Sequence, residues 1–84
     1  MNNNGKKIEI YSTESCHFCQ MAKKFFTDNN IPFTDYNVGI NTAKRTEMVE
    51  KSGQLGVPVI VIDDKDIVIG FDKSKLSSLL DVSK

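Results

Sequence analysis

The sequence predicts an α/β fold: a four-stranded mixed sheet flanked by three helices, in the order β-α-β-α-β-β-α. Three observations carry that expectation. Apolar residues alternate in short runs rich in β-formers and recur at helical spacing between those runs. The first strand–helix–strand passage requires a parallel, right-handed crossover. The last two apolar runs are separated only by the polar stretch Asp63-Asp64-Lys65-Asp66, so they pair as an antiparallel hairpin. Helices then cover both faces of the sheet. The 84 residues suit one domain, expected over 7–84 after a polar, disordered tail at 1–6.

The elements follow in order. Lys7 to Tyr11 alternates and forms the first strand. Ser12 to Ser15 is a polar turn, with Ser15 at or near the N-cap of the first helix. From Cys16 to about Asn29, Phe18, Ala22, Phe25 and Phe26 recur at helical spacing. Asn29-Asn30 ends that helix and Pro32 prevents its continuation. Ile31 to Val38 is the second strand, broken by Gly39. Asn41 or Thr42 caps a second helix running to Ser52, with Gly53 as its stop. Its apolar residues are only Ala43, Met48 and Val49, so it should be largely solvated. Val57 to Ile62 is the most apolar run and reads as a buried strand; Ile67-Val68-Ile69 is its hairpin partner. Asp72 caps a last helix that carries Leu76, Leu79 and Leu80 on one face.

Charge narrows the function classes. Eleven Lys and Arg balance eleven Asp and Glu, with no block of one sign. Bulk electrostatics therefore favours neither nucleic acid nor an anionic membrane as partner. The N-terminus lacks an apolar signal region, and no apolar run is long enough to span a bilayer. The expectation is a cytoplasmic monomer with no nucleic-acid or membrane partner.

Chemistry concentrates at Cys16-His17-Phe18-Cys19, a Cys-X-X-Cys stretch between the first strand and the first helix. The thiolate is the reactive form of cysteine, and a free thiol is only slightly ionised at neutral pH. At a helix start, unpaired N–H groups and the positive end of the macrodipole stabilise negative sulfur. Cys16 sits at that end and should be the exposed attacker. Cys19 lies a turn further in, more shielded, and would attack Cys16 to resolve a mixed disulfide. His17 should be mostly neutral there, because the helix start disfavours a second positive charge. It acts as a hydrogen-bond donor or as an exposed residue contacting substrate. Phe18 reads as a core or rim aromatic.

Other readings of the pair remain. Two cysteines and one histidine fall short of the four ligands of a closed zinc site, so no metal site is expected within one chain. A metal or iron–sulfur cluster shared by two chains through Cys16 is an alternative. A structural disulfide would close too small a loop to constrain the unfolded chain. Pro58 belongs at the head of its strand. A trans proline simply starts the strand; a cis one would let Val57 offer its N–H and C=O to an extended peptide.

With these residues placed, the chain resembles a glutaredoxin-like protein of the thioredoxin fold, over roughly residues 6 to 82. Tyr11-Ser12-x-x-x-Cys16-x-x-Cys19 is similar to the family's entry into its active site. Gly53-Gln54-x-Gly56-Val57-Pro58 resembles the segment carrying its cis-proline, and Gly70-Phe71-Asp72 its last strand-to-helix turn. The resemblance implies a dithiol–disulfide oxidoreductase that reduces protein or glutathione mixed disulfides through a Cys16–Cys19 couple. No cofactor is bound; glutathione or a reductase supplies electrons from outside. It implies a cis Val57–Pro58 bond, with Val57 pairing to the substrate backbone. Close approach would occur at Gly70. The N–H groups of Phe71 and Asp72 would bind the γ-glutamyl carboxylate, and the Asp72 side chain its amino group. Tyr11, Ser15, His17 and Phe18 would complete the binding surface.

Three positions depart from the family pattern. His17-Phe18 replaces Pro-Tyr between the cysteines, Thr13 replaces a lysine that binds the glycine carboxylate of glutathione, and Gly70-Phe71 replaces Gly-Gly. Each weakens the claim on glutathione. The single glycine also resembles the redoxin branch recycled by thioredoxin reductase, while Leu55 and the residues between the cysteines differ from that branch.

Overall fold

In the computed structural model, which describes residues 7–80, the chain forms β1 (Ile8–Ser12), α1 (His17–Asp28), β2 (Thr34–Asn37), α2 (Thr42–Ser52), β3 (Val59–Ile62), β4 (Asp66–Ile69) and α3 (Lys73–Leu80). The order is the expected one. The expected tail at 1–6 and the residues after 80 lie outside the described range. The sheet runs β2-β1-β3-β4, with β1 parallel to β2 and antiparallel to β3, and β3 antiparallel to β4. No helix among the described residues is long and apolar enough to cross a membrane.

Strand alternation divides the core between the two faces. Ile8 and Ile10 of β1, Ile60 and Ile62 of β3 and Val68 of β4 pack with Ala22, Phe25 and Phe26 of α1 and Leu76 and Leu80 of α3. Tyr11, Val59 and Val61 point the other way and pack with Met48 of α2. All four residues of β3 are buried because helices cover both sides.

Several boundaries move for local reasons. Ser12 belongs to β1, since its carbonyl accepts the Val38 N–H at 2.9 Å. The N-cap of α1 is Cys16, not Ser15: Cys16 is extended, and its Sγ accepts the Cys19 N–H at 3.1 Å. β2 starts only at Thr34, because the Ile31 N–H is still engaged by the Phe26 carbonyl at the end of α1. Asn41 rather than Thr42 caps α2, accepting the Lys44 N–H, and Gly53 ends it with a left-handed φ of 74°. Ala43 is exposed. β3 starts at Val59, two residues later than expected. Asp66 joins β4 and pairs with Ile62 across the three residues 63–65, where Asp63 and Asp64 both have positive φ and the Lys65 N–H donates to the Ile62 carbonyl.

Candidate active site at the head of the first helix

Topology brings the distant motifs to one end of the sheet. β1 and β2 run the same way, so the chain leaves both at the same edge. β3 is antiparallel to β1, so Val57-Pro58 lies where β1 delivers the chain to Cys16. β4 returns to that edge and places Gly70-Phe71-Asp72 beside Pro58. The Gly70 N–H donates to the Pro58 carbonyl at 2.8 Å and ties the two segments together. The Val57–Pro58 peptide bond is cis.

Cys16 and Cys19 are joined as a disulfide, with Cα atoms 5.2 Å apart. Their surroundings differ. Cys16 caps the helix and is partly exposed, whereas Cys19 is 0% exposed. The Cys19 N–H points at the Cys16 sulfur, one of the orphan donors that a helix start offers to negative charge. His17 is exposed and meets Phe18 edge-on, ring centres 5.7 Å apart. Phe18 does not enter the core; it lies in the first turn of α1 and is 57% exposed.

At the other wall, Asp72 Oδ1 accepts the Lys75 N–H at 3.1 Å and caps α3. Phe71 is half-buried and packs edge-on against Phe25 of α1, 6.0 Å between centres. Gly70 has φ of 77°, where a side chain would be strained. A Cβ there would meet nothing within 4 Å, so backbone conformation and not crowding within the chain calls for glycine. Val57 is partly buried against the cluster under α2.

One residue of the expected binding surface lies away from the disulfide, and one expected cap does not form. Tyr11 is fully buried, and its hydroxyl donates to Glu47 Oε2 of α2 at 2.6 Å. Burial and that bond hold its phenol well above the usual range. It is a structural group beneath α2, turned away from the disulfide by strand alternation. Ser15 is exposed in the loop and does not cap the helix.

The sequence reading missed two polar arrays, one reaching inside the fold and one along the edge of the sheet. Glu9, in the middle of β1, is only 4% exposed and accepts the Tyr36 hydroxyl at 3.0 Å. Its other oxygen has no hydrogen bond among the described residues and stands 3.9 Å from the Lys51 ammonium. Lys51 also reaches Glu47 at 3.5 Å and Asp64 at 3.0 Å. Bonds from Tyr11 and then Lys44 hold the Glu47 carboxyl down at about 2. The second array is Ser12, Asp35 and Lys23, where α1 meets the β2 edge of the sheet. A charged or hydroxyl residue inside an apolar strand, as in Ile8-Glu9-Ile10-Tyr11-Ser12, was the available signal. Among the described residues, no group of three or more His, Cys, Asp or Glu side chains is placed to hold a metal ion.

This geometry defines a thioredoxin-like redox domain, and similarity to known proteins agrees. The glutaredoxin family model matches residues 8–67. A glutaredoxin-like 8.6 kDa protein of the rubredoxin operon of Clostridium pasteurianum is 42% identical, covering 88% of this chain and 97% of its own. Glutaredoxin 3 of Escherichia coli K12 is 38% identical over 71% of this chain and 72% of that protein. The crystal structure of the thioredoxin-like protein BC3987 superposes with a TM-score of 0.82 at 32% identity, covering 88% of this chain and all of that one (100%). The chain belongs to the glutaredoxin family of thiol–disulfide oxidoreductases.

Proposed function

We propose that this protein reduces mixed disulfides of proteins or of glutathione, with Cys16 as nucleophile and Cys19 as resolving thiol. The observation that carries the reading is the unequal burial of the pair: a partly exposed Cys16 at the helix cap beside an enclosed Cys19. In the reduced protein, the helix N-terminus favours the Cys16 thiolate. That sulfur attacks the client disulfide, one client thiolate leaves, and the other half stays bound to Cys16. Cys19 then loses its proton and attacks Cys16 Sγ. The second client thiolate leaves and the Cys16–Cys19 disulfide forms. Two electrons and two protons from an external donor, glutathione or a reductase, restore the dithiol.

The client chain lies against the Val57-Pro58 backbone. Gly70 and the N–H groups of Phe71 and Asp72 face its polar end, and Ser15, His17 and Phe18 form the opposite rim. The protein works as a monomeric cytoplasmic domain. Thioredoxin reductase is the second reading of the donor. Thr13 and Phe71, where the family has lysine and glycine, leave fewer contacts for glutathione.

Replacing Cys16 by Ser should abolish turnover, and Cys19→Ser should accumulate a mixed disulfide with the client. A Cys16→Ser protein that still reduces its substrate at the parent rate would refute the mechanism. For the donor, NADPH consumption is followed with one disulfide substrate, first with glutathione and its reductase, then with thioredoxin reductase.

A further inference from the structure

Where α1 meets the β2 edge of the sheet, three polar side chains are linked: a buried Ser12, a partly exposed Lys23 and an exposed Asp35. Ser12, the last residue of β1, is 2% exposed, and its hydroxyl donates to Asp35 Oδ1 at 2.6 Å. The Lys23 ammonium of α1 donates to the other oxygen, Oδ2, at 3.0 Å. Asp35 pairs with Ile10 in the β1–β2 register, and Ile10 belongs to the cluster under α1. The carboxylate therefore stands on the α1 side of the sheet. Lys23 follows Cys19 by four residues within α1. Residues so spaced share a helix face, with Cβ atoms about 5–6 Å apart. The Lys23 side chain is only 22% exposed, so it lies along the protein and not out in water.

We propose that Lys23, held by Asp35 and Ser12, is a positioning residue for the resolving step. Its ammonium favours the thiolate of Cys19. The proposal rests on the roles given above to Cys16 and Cys19. Cys19 is enclosed, and burial opposes ionisation of a thiol. Once Cys16 is bound to the client, Cys19 must release its proton to water before its sulfur can attack Cys16 Sγ. The Cys16–client bond breaks as the Cys16–Cys19 bond forms, and the departing client thiolate takes a proton from solvent. A positive charge carried by a residue one helical turn away stabilises Cys19 sulfur before that attack.

The other groups around the cysteine do not supply this charge. β1 offers the neutral Ser12 hydroxyl, the Val57-Pro58 segment has no ionisable side chain, and Asp72 faces its own helix cap. His17 is on α1 but exposed. Among the described residues, Asp35 is the acid bonded to Lys23. It stands level with Ile10, one strand-pair below the end of β1 from which the chain turns to Cys16.

The two steps separate in one experiment. Reduced protein is mixed with dithiobis(nitrobenzoate), which yields one coloured thiolate when Cys16 attacks and a second when Cys19 resolves. Parent, Lys23→Met, Lys23→Arg and Asp35→Asn are compared across pH, with circular dichroism melts as a check on folding. The first phase should be alike in all four. In Lys23→Met the second phase should slow about three- to tenfold near neutrality, with its pH midpoint about half to one unit higher. Lys23→Arg should follow the parent, and Asp35→Asn should fall between. A merely structural lysine would lower the melting temperature without moving that midpoint. A Lys23→Met second phase with the parent's rate and midpoint would overturn the proposal. A parent protein showing one phase only would overturn the underlying roles of the two cysteines.

Discussion

The two faces of the sheet are sealed by different forces. Under α1 and α3 the contact is carbon on carbon: Phe25, Phe26, Ala22, Leu76 and Leu80 against a row of isoleucines. Under α2 only Met48 is fully buried from the helix, Val49 packs partly buried beside it, and much of the remaining attachment is polar. Tyr11 and Tyr36 give their hydroxyls to Glu47 and Glu9, Lys51 joins Glu9, Glu47 and Asp64, and Lys44 lies over the Tyr36 ring. Burying each large apolar side chain contributes about 1.5–3 kcal/mol. Ion pairs at partly exposed sites contribute about 0–1 kcal/mol, and a buried carboxylate costs more when it loses a partner than it contributes when paired. The α1 face therefore supplies most of the stability. The α2 face supplies less, and what it supplies depends on pH and salt. The disulfide sits at the head of α1, on the firmly packed face.

That contrast is open to direct attack. The largest effect should come from Phe26→Ala, which empties the centre of the apolar face and should cost about 3–5 kcal/mol in a urea titration. A loss near ~1 kcal/mol would mean that the apolar face is not the main support. Next is Lys51→Met, which leaves the buried Glu9 carboxylate with Lys7 alone of the two ammonium groups that stand 3.9 Å from it. A loss of about 1–3 kcal/mol is expected, with Glu9→Gln in the same background recovering much of it. If the double variant is no better than the single one, Lys51 acts through packing alone.

Tyr11→Phe is smaller and more diagnostic. It removes one hydrogen bond, about 1 kcal/mol at neutral pH, from a partly exposed carboxylate. Glu47 titrates at about 2 in the folded protein, below its unfolded value of about 4.3. Its stabilising contribution is therefore present above that unfolded value and drains as pH falls toward the folded one. In Tyr11→Phe the folded value should rise, so the stability gap between parent and variant should narrow on acidification. A gap that stays constant from neutral pH downward would separate Tyr11 from the titration of Glu47. The smallest effect belongs to Lys24→Ala: the Lys24–Asp28 pair lies on the solvent side of α1, and its loss should leave the urea midpoint unchanged within error.

Legibility followed the same division. The apolar face could be read directly, because Phe25, Phe26, Leu76 and Leu80 declare themselves by spacing. The α2 face could not. Glu9 alternates with isoleucines and reads as a solvent-facing residue until α2 is laid across it. Tyr11 belongs to a familiar-looking entry sequence, yet its direction is set by strand parity, which turns it under α2 and away from the cysteines. Phe18 has the spacing of a core residue but stands in the first turn of α1, and spacing along the chain does not record that it is left outside.

The sequence by itself determined the order of elements, the redox pair and the three segments that meet around it, because those depend on local pattern and on motifs read along the chain. Tertiary structure alone decided which polar side chains are brought together. Glu9 with Lys51, Tyr11 with Glu47, and Ser12 with Asp35 and Lys23 come from positions far apart in the chain. A charge can be left inside only where packing places its partner opposite, and no local pattern records that placement.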